Sequence, residues 1–118
     1  LTESTVFQCK LAQVRIGAHP GFPDRVGMGR RSPSSTEIDI WLSSLASQVE
    51  RFVNKFDTDY IKPHGAVYNI LAQGKSAHSS LWDRMVDVLK TARRPLMGLP
   101  GSGHERLAEE AGVPLIRE

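Results

Sequence analysis

The segment with most chemical potential is Tyr60-Ile61-Lys62-Pro63-His64-Gly65-Ala66-Val67-Tyr68-Asn69. Lys62 and His64 lie two apart, so an extended backbone projects both to one side. Pro63 stiffens the chain between them, and Gly65 permits close approach of a ligand. Asn69 is expected in the first turn of whatever follows. A Lys/His/Asn group at a strand end can bind an anion, polarise a carbonyl and move a proton. The plain alternative is a solvated rim lysine beside a turn histidine.

A second segment runs Gly17-Ala18-His19-Pro20-Gly21-Phe22-Pro23-Asp24-Arg25-Val26-Gly27-Met28-Gly29-Arg30-Arg31. Its glycines expose backbone N–H groups, and its arginines offer bidentate forks. Together they suit a carboxylate or phosphate. His19 sits where a general base or metal ligand can sit. The plain alternative is a solvated loop with weak Asp24–Arg surface pairs. The Gly-x-x-x-x-Gly-Lys-Ser/Thr pattern of a phosphate-binding loop is absent. His19 and His64 can also hold a divalent metal, given a third, acidic ligand, for which Asp24 is the nearby choice.

The remaining special residues have plainer readings. His78 precedes an amphipathic helix and is expected to be exposed. His104 falls in the first turn of a helix, where the dipole favours a neutral ring. Trp41 and Trp82 lie on apolar helix faces and read as core. The single Cys9 reads as a small buried apolar helix residue; alone it makes neither an intrachain disulfide nor a zinc cluster.

The elements that must position these residues alternate. Val6, Phe7, Lys10, Leu11 and Val14 have helical spacing over residues 1–14. Val14–Ala18 reads as a strand ending at His19-Pro20-Gly21, and the breaker-rich residues 20–33 read as a long loop. Ser34 and Glu37 form a capping-box pattern ahead of a helix carrying Ile38, Trp41, Leu42, Leu45, Val49, Phe52, Val53 and Phe56. Tyr60–Lys62 is a strand cut by Pro63. Leu81, Trp82, Met85, Val86, Leu89 and Ala92 mark a helix. Pro95–Leu99 is a strand, Ser102–Glu105 a second capping-box pattern, Gly112 a helix stop and Val113–Ile116 a fourth strand. The order α-β-α-β-α-β-α-β predicts an α/β fold with parallel strands and crossover helices. A complete eight-stranded (β/α) barrel takes about 250 residues, so four strands amount to about half. Three strand ends carry Pro, Gly and His together, and in parallel α/β folds such ends share one rim.

Composition excludes some partners. With 15 Lys+Arg against 13 Asp+Glu the net charge is +2, which gives no reason to expect nucleic acid or an anionic membrane. No apolar run approaches the roughly 20 residues of a membrane helix, and no leader opens the chain. Leu1 in place of Met points to a missing N-terminus. The single cysteine makes a reducing, cytoplasmic setting the expectation.

Gly17-Ala18-His19-Pro20-Gly21-Phe22-Pro23-Asp24, Gly27-Met28-Gly29-Arg30-Arg31 and Lys62-Pro63-His64-Gly65-Ala66-Val67-Tyr68-Asn69 resemble, in order and separation, the LamB/YcsF family. Gly98-Leu99-Pro100-Gly101-Ser102 resembles that family's later Gly-Leu-Ala-Gly-Ser turn. The resemblance covers nearly the whole chain. It implies a partial irregular (β/α) barrel of the polysaccharide-deacetylase-like type. It also implies ATP-dependent opening of 5-oxo-L-proline to L-glutamate, with ATP and magnesium, no tightly bound metal, and 5-oxoprolinase subunits B and C as partners. His64, Lys62 and His19 become the expected catalytic groups. Asn69, Asp24, Arg30, Arg31, Gly21 and Gly65 become the expected substrate-binding positions. Met28 stands for the family's usual Phe, and Val67 for its Leu. The family's opening Asp-Leu-Asn-Cys-Asp-x-Gly-Glu and Cys-Gly-Phe-His-Ala-Gly-Asp segments and its C-terminal third are absent, so residues 1–118 read as one partial domain. Two other readings are a metal-dependent deacetylase-like hydrolase and a non-catalytic truncated fragment.

Overall fold

The computed structural model describes residues 2–118; Leu1, the start of the expected first helix, lies outside the described residues. The elements are α1 (Thr2–Leu11), β1 (Gly17–Ala18), α2 (Ile38–Lys55), β2 (Tyr60–Ile61), α3 (Gly65–Gln73), a 3₁₀ turn (Lys75–Ala77), α4 (Ser79–Ala92), β3 (Leu96–Gly98), α5 (Gly103–Ala111) and β4 (Leu115–Arg117). The strands form one parallel sheet in the order β1-β2-β3-β4. Among the described residues β1 and β4 stay as open edges, so the sheet does not close into a barrel.

The core follows from helix periodicity meeting a small apolar sheet. Trp41, Leu42, Leu45 and Val49 recur along one face of α2 and are buried; Leu81, Trp82, Met85, Val86 and Leu89 do the same on α4. They pack with Ala18, Ile61 and Leu96 from the strands in one continuous cluster. Fully burying a side chain such as Leu45 or Ile61 contributes about 1.5–3 kcal/mol.

Several local expectations need correction. A helix not foreseen as a separate element, α3, follows β2, so two helices connect β2 to β3. It buries Ala66, Val67 and Leu71, and it makes Asn69 its fifth residue, on an exposed face, instead of a first-turn group. Only part of the Ser34/Glu37 box forms. The Glu37 carboxylate accepts the Ser34 N–H at 3.0 Å, but α2 starts at Ile38 without a side-chain cap. Helix α1 exists, yet it buries only Val6, leaves Phe7 and Leu11 exposed, and half-buries Cys9. The first strand is shorter than Val14–Ala18: Ile16 donates its N–H to the Asp59 carboxylate at 2.7 Å, outside the sheet ladder. Of the Ser102/Glu105 box only the Ser102 half forms, its hydroxyl accepting the His104 N–H at 3.1 Å, while the Glu105 carboxylate pairs with Arg117. Gly112, at φ +71°, ends α5. Among the described residues no helix is long and apolar enough to cross a membrane.

Candidate functional site

The site is built where β1 and β2 end. Their parallel ladder continues past the strands: Lys62 donates its N–H to Ala18 O at 2.8 Å, and His64 to Pro20 O at 2.8 Å. The two corners are thereby laid side by side. Gln48, from α2, pins the first corner from behind: its amide oxygen accepts the Gly21 N–H at 3.1 Å and its amide nitrogen donates to Gly21 O at 2.9 Å.

His19 and His64 meet across this seam. Their rings stand 4.8 Å apart at 70°, with His64 Nδ1 3.1 Å from His19 Nε2. The outer nitrogens are also engaged: His19 Nδ1 lies 2.6 Å from Lys62 O, and His64 Nε2 2.7 Å from Met28 O. Carbonyl oxygens only accept, so both outer nitrogens carry protons. Backbone packs close to the His64 ring at Gly21 and Gly29, where an added Cβ would stand 3.1 and 3.0 Å from His64 Cδ2. Gly65 also touches main chain: at φ +59° its missing side chain leaves room for Gly29 O, which accepts the Ala66 N–H at 2.9 Å. A cavity of about 240 Å³ opens here, lined among others by Gly21, Asp24, Met28, Gln48 and His64.

Lys62 belongs to two clusters at once. Its carbonyl holds His19, while its ammonium lies 2.7 Å from the Glu118 carboxylate. Tyr68, on α3, donates its hydroxyl to the same carboxylate at 2.6 Å. The Lys62 ammonium and the Tyr68 hydroxyl hold the Glu118 carboxyl below its ordinary range. Burial, then the Glu118 carboxylate, pushes the Tyr68 phenol up to about 12. Tyr68 thus stays a neutral donor.

The arginine loop is tied differently. Arg31 forks onto Glu37 with two bonds of 3.0 Å and sits 4.8 Å over the Trp41 ring. The Arg31 fork and the Ser34 donors pull the Glu37 carboxyl down to about 2. Asp24 is buried; its Oδ1 accepts the Gly27 N–H at 3.0 Å, and its Oδ2 has no hydrogen-bond partner. Arg30 is exposed and, among the described residues, has no ion-pair partner. Asn69 points to solvent on α3. His19 and His64 therefore converge; Lys62 brings its carbonyl to that pair but its ammonium to Glu118, Asp24 lines the same cavity as His64 with Arg31 3.8 Å from its Oδ1, and Asn69 is open to solvent. Among the described residues no three His, Cys, Asp or Glu side chains are placed to hold a metal ion.

The third corner turns inward. His104 is fully buried, accepts the Leu99 N–H on Nδ1 at 3.0 Å and faces Tyr68 O with Nε2 at 2.9 Å. This fixes a neutral ring with its proton on Nε2. Burial lowers its affinity for a second proton. His78 is the N-cap of α4 and accepts the Leu81 N–H at 3.2 Å; it is half-buried, not fully exposed. Sequence reasoning missed Glu118, Tyr68 and Gln48. Glu118 carried a signal: it follows an apolar strand at the same kind of terminus that Lys62 occupies.

A larger cavity, about 640 Å³, lies between α2 and α4 and holds none of these residues.

Comparison with known proteins puts this geometry in a family. The 5-oxoprolinase A subunit of Limosilactobacillus fermentum is 34% identical over 116 residues, covering 97% of this chain and 46% of that protein. The first of the 5-oxoprolinase A subunits of Pseudomonas putida is 39% identical over 121 residues, with 97% and 46% covered. The crystal structure of the lactam utilization protein from Thermus thermophilus superposes with a TM-score of 0.67 at 29% identity, over 97% of this chain and 47% of that one. The chain spans about half the length of the curated relatives it matches. The LamB/YcsF family model matches residues 1–118, and the chain belongs to the LamB/YcsF family.

Proposed function

We propose that this chain carries part of the active site of a 5-oxoprolinase, in the A-subunit position. The enzyme opens 5-oxo-L-proline to L-glutamate, coupled to ATP hydrolysis, together with subunits B and C in the cytoplasm. The observation that supports the reading is the meeting of His19 and His64, with Lys62 bound to both clusters, at the strand ends of a family whose curated relatives are named as 5-oxoprolinase A subunits.

The chemistry suits these groups. A lactam amide resists hydrolysis, and opening it requires its carbonyl oxygen to gain negative charge. The His64 Nε2 proton is a donor that stabilises such charge, and the Lys62 ammonium becomes a second one when it leaves Glu118. In this reading His64, Lys62 and His19 act on the reacting amide. Asp24, Arg30, Arg31, Asn69, Gly21 and Gly65 shape or bind the rest of the substrate, with Arg30 the guanidinium open to a carboxylate.

ATP with magnesium belongs to the same reading, but the described residues do not fit a nucleotide site on their own. Arg31 is committed to Glu37, Lys62 to Glu118, and no carboxylate cluster is placed for the cation.

The test is His64→Ala in the complete polypeptide assembled with its partners. It should abolish 5-oxoproline-dependent ATP turnover; normal turnover would sink the assignment.

A further inference from the structure

The His19–His64 contact poses a counting problem. Lys62 O and Met28 O each require a ring proton, one on His19 Nδ1 and one on His64 Nε2. With one proton per ring, both protons are then engaged. His19 Nε2 and His64 Nδ1 would face each other at 3.1 Å as two lone pairs, which repel. Moving a proton into that gap would leave one outer nitrogen facing a carbonyl with nothing to donate. All three short contacts are satisfied together only by a third proton.

The outermost of the three bonds has an unusual partner. Met28 O belongs to a residue whose backbone is left-handed at φ +55° and which is 64% exposed. A non-glycine residue held there signals a constrained turn. Gly29 follows at φ +76°. This short strap lays a main-chain amide carbonyl on a ring nitrogen of His64, beside the 240 Å³ cavity that Met28 and His64 both line.

We propose that His19 and His64 form one unit holding three ring protons and a single positive charge, and that Met28 O occupies the position that a ligand's amide carbonyl takes on His64 Nε2. The ligand class is a small amide or lactam. Its carbonyl oxygen replaces Met28 O at the same donor, and the 27–29 strap lifts away. This rests in part on the reading of the site as one for a cyclic amide, and it makes His64 the donor to the carbonyl, not a base. Lys62 O sets that direction, because it fixes the His19 proton on Nδ1 and so leaves His19 Nε2 facing His64. The charged groups around the pair are Asp24 and Arg25, which line the same cavity, and Lys62, whose ammonium is occupied by Glu118. Gln48, the contribution of α2, is neutral.

The test is magnetic resonance on the unmodified chain carrying isotope-labelled histidine and carbonyl-labelled methionine. His19 Nδ1 and His64 Nε2 should both read as N–H, with one further proton shared between the facing nitrogens. Two protons in all, with the fold intact, would overturn the charge assignment. Saturating pyrrolidinone, a bare lactam, should shift the His64 Nε2 proton and release the Met28 carbonyl signal; unmoved resonances would overturn the placeholder role. If pyrrolidinone moves them and 5-oxoproline neither moves them nor competes, the carbonyl site stands and the substrate reading fails.

Discussion

Lys62 and Glu118 are joined across an intervening strand: the ammonium at the end of β2 lies 2.7 Å from the carboxylate that follows β4, with β3 between them. Gly98 ties the span together, since its carbonyl accepts the Glu118 N–H at 3.0 Å, while the side it leaves bare packs on the His104 ring. A cation proposed for the reaction is thereby held by an acid that follows the last strand.

Replacing Glu118 by Gln should release Lys62 at small cost. Both side chains are about one-third exposed, so solvent screens the pair and the loss at neutral pH should be about 0.5–1 kcal/mol. The folded carboxyl lies below its ordinary value. Its contribution is therefore present above the ordinary carboxylate range and fades as pH falls through the folded value. Urea melts at neutral and acid pH should show the wild-type protein losing this increment in acid and Glu118→Gln lacking it throughout.

Tyr68 should reveal itself in alkali. Its phenol is raised from 10.0 to about 12, so the folded state holds the proton more tightly than the unfolded chain. Stability should decline as pH rises above 10. A phenolate absorbance titration should show a step near 12 that vanishes in Tyr68→Phe. The same variant should lose about 1 kcal/mol through the missing bond to Glu118.

His104 should matter to the fold more than to the chemistry. His104→Ala strips partners from Leu99 N and Tyr68 O and leaves a cavity, which should cost about 2–4 kcal/mol in chemical denaturation. Burial places the folded ring below its ordinary value of 6.5. The unfolded chain then binds the extra proton first, so stability should drop as pH falls through 6.5 and level off below the folded value. That drop should be smaller in the variant.

Gly65→Ala should cost about 2 kcal/mol or more. The position has φ +59°, and a Cβ there would stand 2.5 Å from Gly29 O, which is main chain. Thermal melts against a control at Gly112, where φ is +71° and an added Cβ meets nothing within 4 Å, separate the clash from the backbone strain.

Much of this architecture is legible in residue order. The apolar spacing of Trp41 to Val49 and of Leu81 to Leu89 specifies two helices, and the Pro-Gly-His corners mark strand ends that do share one rim. What escaped has physical causes. Helix α3 hides behind Pro63-His64-Gly65, breakers that end a strand and start a helix within three residues. His104 lies in the first turn of α5, as its position predicts, but its full burial against Tyr68 is set by packing that no local pattern contains. Glu118 and Gln48 reach the site from 54 and 16 positions away from His64, so no local motif could contain them.

The close packing of main chain against His64 at Gly21 and Gly29 has a further consequence. An imidazole enclosed by side chains can be retuned by swapping its neighbours, one residue at a time. Here part of the enclosing wall is peptide backbone, which substitution cannot recolour. Variation on that side of the ring is therefore channelled into loop length and curvature, while Asp24, Met28 and Gln48 are the side chains an engineer could exchange on the cavity side.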